Sequence, residues 1–255
     1  MTPLEKQIAQ KHPILVSDTW GGGHRVIFDF EGRKGWVIEP GTPRADRPWC
    51  WTLQWMGAFL DRTGAPDLVR KGYHHVHLDA FDTRADDAGI AALASFQRYL
   101  VDELGFAAKA NLIGMSWGGF YSIRYAAAHP DNVAAIYLDA PLLCLMPTVK
   151  EIGPWQNEAP ADGDWSADPR MPINLADKVA AAKIPILLLY GGMDSLVPPA
   201  ANAEVFVPRF EAAGGDIQVV NRAAYGHHPH GVELDETSII TDFFDKPSKP
   251  KIRDS

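Results

Sequence analysis

The residues with the clearest chemical meaning lie in Gly114-Met115-Ser116-Trp117-Gly118-Gly119. A serine between glycines at a tight strand-to-helix turn has an exposed hydroxyl on a strained backbone. The glycines are needed where a side chain would collide with the neighbouring strand and helix. A hydroxyl is a poor nucleophile until a base takes its proton, and the base must itself be held by an acid. Both are available downstream. An aspartate occurs in Gly191-Gly192-Met193-Asp194-Ser195-Leu196-Val197-Pro198, and histidines cluster in Tyr225-Gly226-His227-His228-Pro229-His230. Along the chain the three come in the order serine, acid, histidine. His227 directly follows Gly226 and is the first choice of base, with His228 the alternative; His230, after Pro229, reads as structural or substrate-facing. Asp139 rivals Asp194 because it ends an apolar run, but the glycine-bearing turn at Asp194 leaves that carboxylate freer to face the serine.

Something must hold these groups together, and the order of elements supplies it. Val26, Phe28 and Phe30 alternate with polar residues, a turn follows at Glu31-Gly32, and the chain runs back over 35–39, which predicts a β-hairpin. Residues 48–55 are aromatic and strand-like. A helix over 57–71 leads to a strand over 73–79. Ile90, Leu93, Phe96, Leu100 and Leu104 recur at helical spacing and Gly105 stops them. Strands are expected at 110–115, 133–138, 184–190 and 216–220, with helices at 118–129, 200–213 and 236–244. An opening hairpin followed by alternating strands and helices predicts a single α/β domain over 1–255, with a mostly parallel, doubly wound sheet. Ser116, Asp194 and His227 would then share the carboxyl edge of that sheet. Residues 145–174 break the rhythm with five prolines plus Trp155 and Trp165. An excursion of that length suggests a lid-like insertion whose tryptophans bind substrate.

Across nearly its whole length the chain resembles the α/β-hydrolase superfamily, and within it the esterase and prolyl-oligopeptidase-like branch, including carbohydrate-esterase-like members. The resemblance rests on 114–119, 192–198 and 226–231. It implies Ser116 as nucleophile, Asp194 as acid and a histidine of the 227–230 cluster as base, with no cofactor. The family's usual His-Gly after the third strand is replaced by Met56-Gly57-Ala58-Phe59. The oxyanion donors are therefore expected to be the Trp117 N–H and that of Gly57 or Ala58. The implied activity is hydrolysis of an ester, an acetyl or aromatic ester on a carbohydrate or another small molecule. A peptidase and a non-catalytic binding protein on the same fold are the alternatives.

Other signals bound the answer. A formal net charge of -8 disfavours nucleic acid and anionic membranes as partners. Hydrophobic residues make up 46% of the chain and charged ones 22%, which excludes a disordered class. Cys50 and Cys144 form no metal or redox spacing and read as reduced, packed thiols. His75-Val76-His77-Leu78-Asp79 begins like a zinc-hydrolase HxHxDH signature, yet Ala80 stands where the last histidine belongs, so a packed strand pair and no metal site is expected. No signal peptide or long apolar stretch is visible, so a cytoplasmic protein is expected. The lysines of 246–251 read as a solvated tail.

Overall fold

The computed structural model describes residues 1–246; all but the first residue of the tail reading at 246–251 lies outside them. After a short helix α1 (Pro3–Ala9), three antiparallel strands follow, β1 (Ile14–Trp20), β2 (Gly23–Phe30) and β3 (Arg33–Pro40). The expected hairpin is β2–β3, while α1 and β1 had no clear signal. Only β1's paired face is sheltered, and it carries Leu15 and Val16 in solvent, so its polarity does not alternate cleanly.

Then come β4 (Trp49–Thr52), β5 (His74–Leu78), β6 (Ala110–Met115), β7 (Val133–Asp139), β8 (Ile186–Gly191) and β9 (Ile217–Arg222). The sheet order is β1-β2-β3-β5-β4-β6-β7-β8-β9, with β3 antiparallel to β5 and every later pairing parallel. The central strands β4, β5 and β6 are buried along their whole length, as strands covered by helices on both faces must be. That explains why their residues do not alternate between apolar and polar.

The helices are α2 (Leu60–Thr63), α3 (Ala65–Arg70), α4 (Asp87–Asp102), α5 (Trp117–Ala128), α6 (Ala176–Ala181), α7 (Ala203–Ala212) and α8 (Ser238–Asp245). The single helix expected over 57–71 is split because Gly64, at φ 70°, ends α2 and begins α3. The chain goes from β5 across β4 to β6, so the strand order reverses beside β4. In open parallel sheets the crevice at such a reversal, at the carboxyl ends of the strands, is where ligands bind.

Residues 145–174 contain no strand, only 3-10 turns at Gly153–Glu158 and Pro172–Asn174. They are nonetheless well packed. Ile152, Trp155, Trp165, Met171 and Ile173 are buried and belong to the main core. The Asn202 carboxamide oxygen accepts the Leu143 and Cys144 N–H groups at 2.7 and 3.0 Å, which anchors the entry to the insertion. No helix of the described residues is long and apolar enough to cross a membrane. Both cysteines are buried and free.

Candidate active site

Strand β6 runs into Ser116, which has φ 50° and ψ −118°. This is a sparsely populated conformation costing about 1–3 kcal/mol, and it persists only because its surroundings fix it. The Ser116 N–H donates to Asp139 O at 3.0 Å, and the Ser116 carbonyl accepts the Gly119 and Leu142 N–H groups at 2.9 Å each. Close packing requires the flanking glycines. A Cβ on Gly114 would lie 2.4 Å from Ser122 Oγ, and one on Gly118 would lie 2.1 Å from the Leu53 carbonyl oxygen. Helix α5 therefore touches both the strand before it and the loop after β4, and the hydroxyl is left partly exposed between them.

Asp194 leaves β8 and His227 follows β9, so the carboxyl ends of β6, β8 and β9 deliver the three side chains, with β7 between the first two. His227 Nε2 lies 3.1 Å from Ser116 Oγ, and His227 Nδ1 lies 2.7 Å from Asp194 Oδ2. The other Asp194 oxygen accepts the Leu196 and Val197 N–H groups at 2.9 and 2.8 Å. These bonds fix the carboxylate plane, which in turn orients the imidazole. With Nδ1–H donated to the carboxylate, Nε2 is left as the acceptor facing the hydroxyl. Burial lowers the His227 pKa below its ordinary 6.5, and the neighbouring Asp194 charge opposes that only in part.

The rival groups form a second pair beside the first. Asp139 is fully buried and its Oδ1 accepts from His230 Nδ1 at 2.9 Å. Its other oxygen accepts from the Tyr137 hydroxyl and the Gly231 N–H, each at 2.5 Å, and Arg222 stands 3.8 Å away. Burial alone would raise the Asp139 pKa; the His230 contact, the Tyr137 hydroxyl and Arg222 hold it below the ordinary carboxylate value. Asp139 thus reaches His230 and not His227. His228 is exposed, and its ring lies 5.6 Å from that of Phe59. The sheet register sets Asp139 opposite Met115, the residue before the serine, which brings this second pair beside the first.

Trp117 opens α5, where its N–H has no intrahelical acceptor and remains available. Of the two residues expected to join it, Ala58 is ruled out, because its N–H closes a turn on Trp55 O at 2.8 Å. Gly57 remains.

The expectation that Trp155 and Trp165 bind substrate is corrected. Both are almost fully buried. The Trp155 Nε1–H donates to Arg84 O at 2.9 Å, and its ring packs on Phe120 and Trp165 beneath the guanidinium groups of Arg124 and Arg170. They anchor the insertion to α5 and show no face to a ligand. The aromatic group open to solvent in this region is Trp55, at 39% exposure on the β4–α2 loop, edge-on to Phe81.

His75 and His77 are buried strand residues. Thr52 binds both, its hydroxyl to His75 Nε2 at 3.0 Å and its carbonyl to His77 Nδ1 at 2.8 Å. The potential metal ligands that do come together among the described residues are His227, His228 and His230.

Residues 40–165 match the family model described as the alpha/beta hydrolase fold. That match, with the sheet order and the elbow at Ser116, decides the fold. The chain is an α/β-hydrolase-fold protein. Solved structures agree. An acylaminoacyl peptidase from Pyrococcus horikoshii in an orthorhombic crystal form superposes with a TM-score of 0.63 at 15% identity, over 92% of this chain and 41% of its own. The uncomplexed form of the same enzyme gives 0.62 at 15% identity, over 99% and 45%. A Bacteroides ovatus protein assigned as a dipeptidyl aminopeptidase IV gives 0.63 at 13% identity, over 92% and 36%. The chain spans less than half the length of each of these structures. No curated protein matches the sequence.

Proposed function

We propose that the protein is a serine hydrolase that cleaves a carboxylic ester through an acyl-enzyme. The observation that carries this reading is the continuous chain Ser116 Oγ–His227–Asp194, with contacts of 3.1 and 2.7 Å. Ser116 Oγ attacks the acyl carbonyl while His227 Nε2 takes its proton. Asp194 holds the tautomer and stabilises the imidazolium that forms. The Trp117 and Gly57 N–H groups receive the developing oxyanion, aided by the positive end of α5. Collapse expels the alcohol, protonated by His227, and a water activated by the same histidine releases the acid. No step needs a cofactor. A binding protein without activity would have no use for a strained serine held against an oriented imidazole.

The substrate class we favour is a small acetyl or aromatic ester, on a carbohydrate or another alcohol, because Trp55 on the β4–α2 loop is an aromatic side chain open to solvent. Peptide hydrolysis is the second reading, favoured by the two peptidases among the structural relatives. A panel of aryl and alkyl acetates, longer acyl esters, acetylated oligosaccharides and peptide anilides tests both. Turnover confined to esters supports the first reading; turnover of anilides with no ester activity replaces it with the second.

A further inference from the structure

Two of the three clustered histidines share an arrangement that one catalytic base does not require. His227 gives its Nδ1 to Asp194 at 2.7 Å, and His230 gives its Nδ1 to Asp139 at 2.9 Å. Both carboxylates are buried and further hydrogen-bonded. Each imidazole therefore keeps Nε2 as the nitrogen not bound to a carboxylate, that of His227 facing Ser116 Oγ at 3.1 Å. A histidine whose other nitrogen is bound to a carboxylate is the usual form of a metal ligand, because the carboxylate fixes the tautomer and raises ligand basicity. The third ring, His228, completes the group. The three rings lie 4.8 to 5.0 Å apart, centroid to centroid, at interplanar angles of 70° to 81°. One nitrogen from each lies within 4.8 Å of the others.

We propose that His227, His228 and His230 form a binding site for a divalent transition-metal ion of the zinc type, and that the ion shuts the active site off. Three imidazoles with an open fourth position suit a tetrahedral ion. With Zn–N bonds of about 2.0–2.1 Å, the donor atoms must come to about 3.3 Å from one another. The rings must therefore close on the ion. His228, which is exposed, is free to swing in, and His227 and His230 pivot toward each other about their carboxylate bonds. Asp194 and Asp139 place two negative charges directly behind the ligands and offset the charge of the ion. His227 Nε2 cannot bind the metal and accept the Ser116 proton together, so occupancy removes the base. The inhibitory consequence rests on the serine-hydrolase reading; the metal site itself does not.

The chemistry separates this site from a catalytic zinc. The ion takes the base instead of activating water, so activity is highest when metal is chelated. Zinc titrated into the full chain by isothermal calorimetry, with cobalt as a visible-absorption probe, tests the site in the Ser116→Ala background. One equivalent is expected to bind, with a tetrahedral cobalt spectrum. His228→Ala is expected to weaken binding at least tenfold, and Asp139→Asn to weaken it 10- to 100-fold through His230. Because Asp139 is buried and its variant can fail to fold, the exposed His228 variant decides the matter. Absence of saturable 1:1 binding, or binding that His228→Ala leaves unchanged, overturns the proposal. In the native chain, zinc should suppress fluorophosphonate labelling and EDTA should restore it. If zinc binds through His228 and labelling is absent at every metal level, the metal site stands and the hydrolase reading falls.

Discussion

Gly118→Ala tests the positioning of the oxyanion loop. A Cβ at Gly118 would stand 2.1 Å from the Leu53 carbonyl oxygen, where ordinary contact begins at 3.4 Å. Helix α5 is buried along its length and cannot retreat, because Pro141 lies behind it, 2.4 Å from a Cβ placed on Gly119. Leu53 must then move outward by about 1 Å, on the scale of close-packed interiors. Leu53 directly follows β4, so the shift strains its N–H bond to Ile113 O on β6, 3.0 Å long, and the β4–α2 loop carrying Gly57 follows. Overpacking of this kind costs about 1–3 kcal/mol of stability. A misplacement near 1 Å at a catalytic group costs about 100-fold in rate. The folded variant should therefore label with a fluorophosphonate about 100-fold more slowly, with a thermal midpoint lowered by a few degrees. Gly41→Ala, remote from the serine, is the control: a Cβ there meets nothing nearer than the Gly22 carbonyl oxygen at 3.7 Å, so labelling should stay at the native rate. Equal labelling rates for native protein and a folded Gly118→Ala protein would refute the reasoning.

Three other outcomes are expected. The acid limb of the labelling rate should have its midpoint below pH 6.5, because burial lowers the His227 pKa and the base works only when neutral; a midpoint clearly above 6.5 would contradict that environment. Burial pushes His74 down to about 4 and His75 down to about 3, so the unfolded chain takes up protons that the native chain refuses as pH falls through 6.5. Stability present above that pH should drop by roughly 3–4 kcal/mol between pH 6.5 and 5, from about 1.4 kcal/mol per pH unit per histidine, and denaturant titrations that show no loss would disprove it. Trp155→Ala should destabilise the protein by about 3–5 kcal/mol in chemical denaturation while leaving the selectivity among esters unchanged, since its ring packs in the core; a changed ester preference at native stability would restore it as a substrate contact.

The parallel half of the fold was legible because strands such as β6, β7 and β8 are largely apolar and the helices between strands have stops such as Gly105 or Pro130. The serine turn was legible because the glycine spacing has a steric cause that the packing of Gly114 and Gly118 makes explicit. Strand β1 escaped because a strand at the edge of a sheet is specified by pairing more than by side-chain pattern. The tryptophans of the insertion misled, because an indole that fills a core and one that lines a pocket have the same sequence appearance. Burial and the spent Nε1–H distinguish them only in three dimensions. Ala58 failed as a donor for a similar reason, since no residue type in Trp55–Ala58 signals the turn that uses its N–H. Nor does spacing in the chain reveal that Asp139 and His230, 91 residues apart, form a second carboxylate–histidine pair.

The central claim is that Ser116 is a nucleophile activated by His227 and Asp194, and site-mapped covalent labelling tests it most directly. The native protein is incubated with a fluorophosphonate in the presence of EDTA, digested, and the modified peptide is sequenced by mass spectrometry. One adduct per chain on Ser116 is predicted, abolished in Ser116→Ala and slowed by orders of magnitude in His227→Ala, with both variants folded. Stoichiometric labelling at another residue, or a folded native protein that takes up no label at Ser116, would contradict the account.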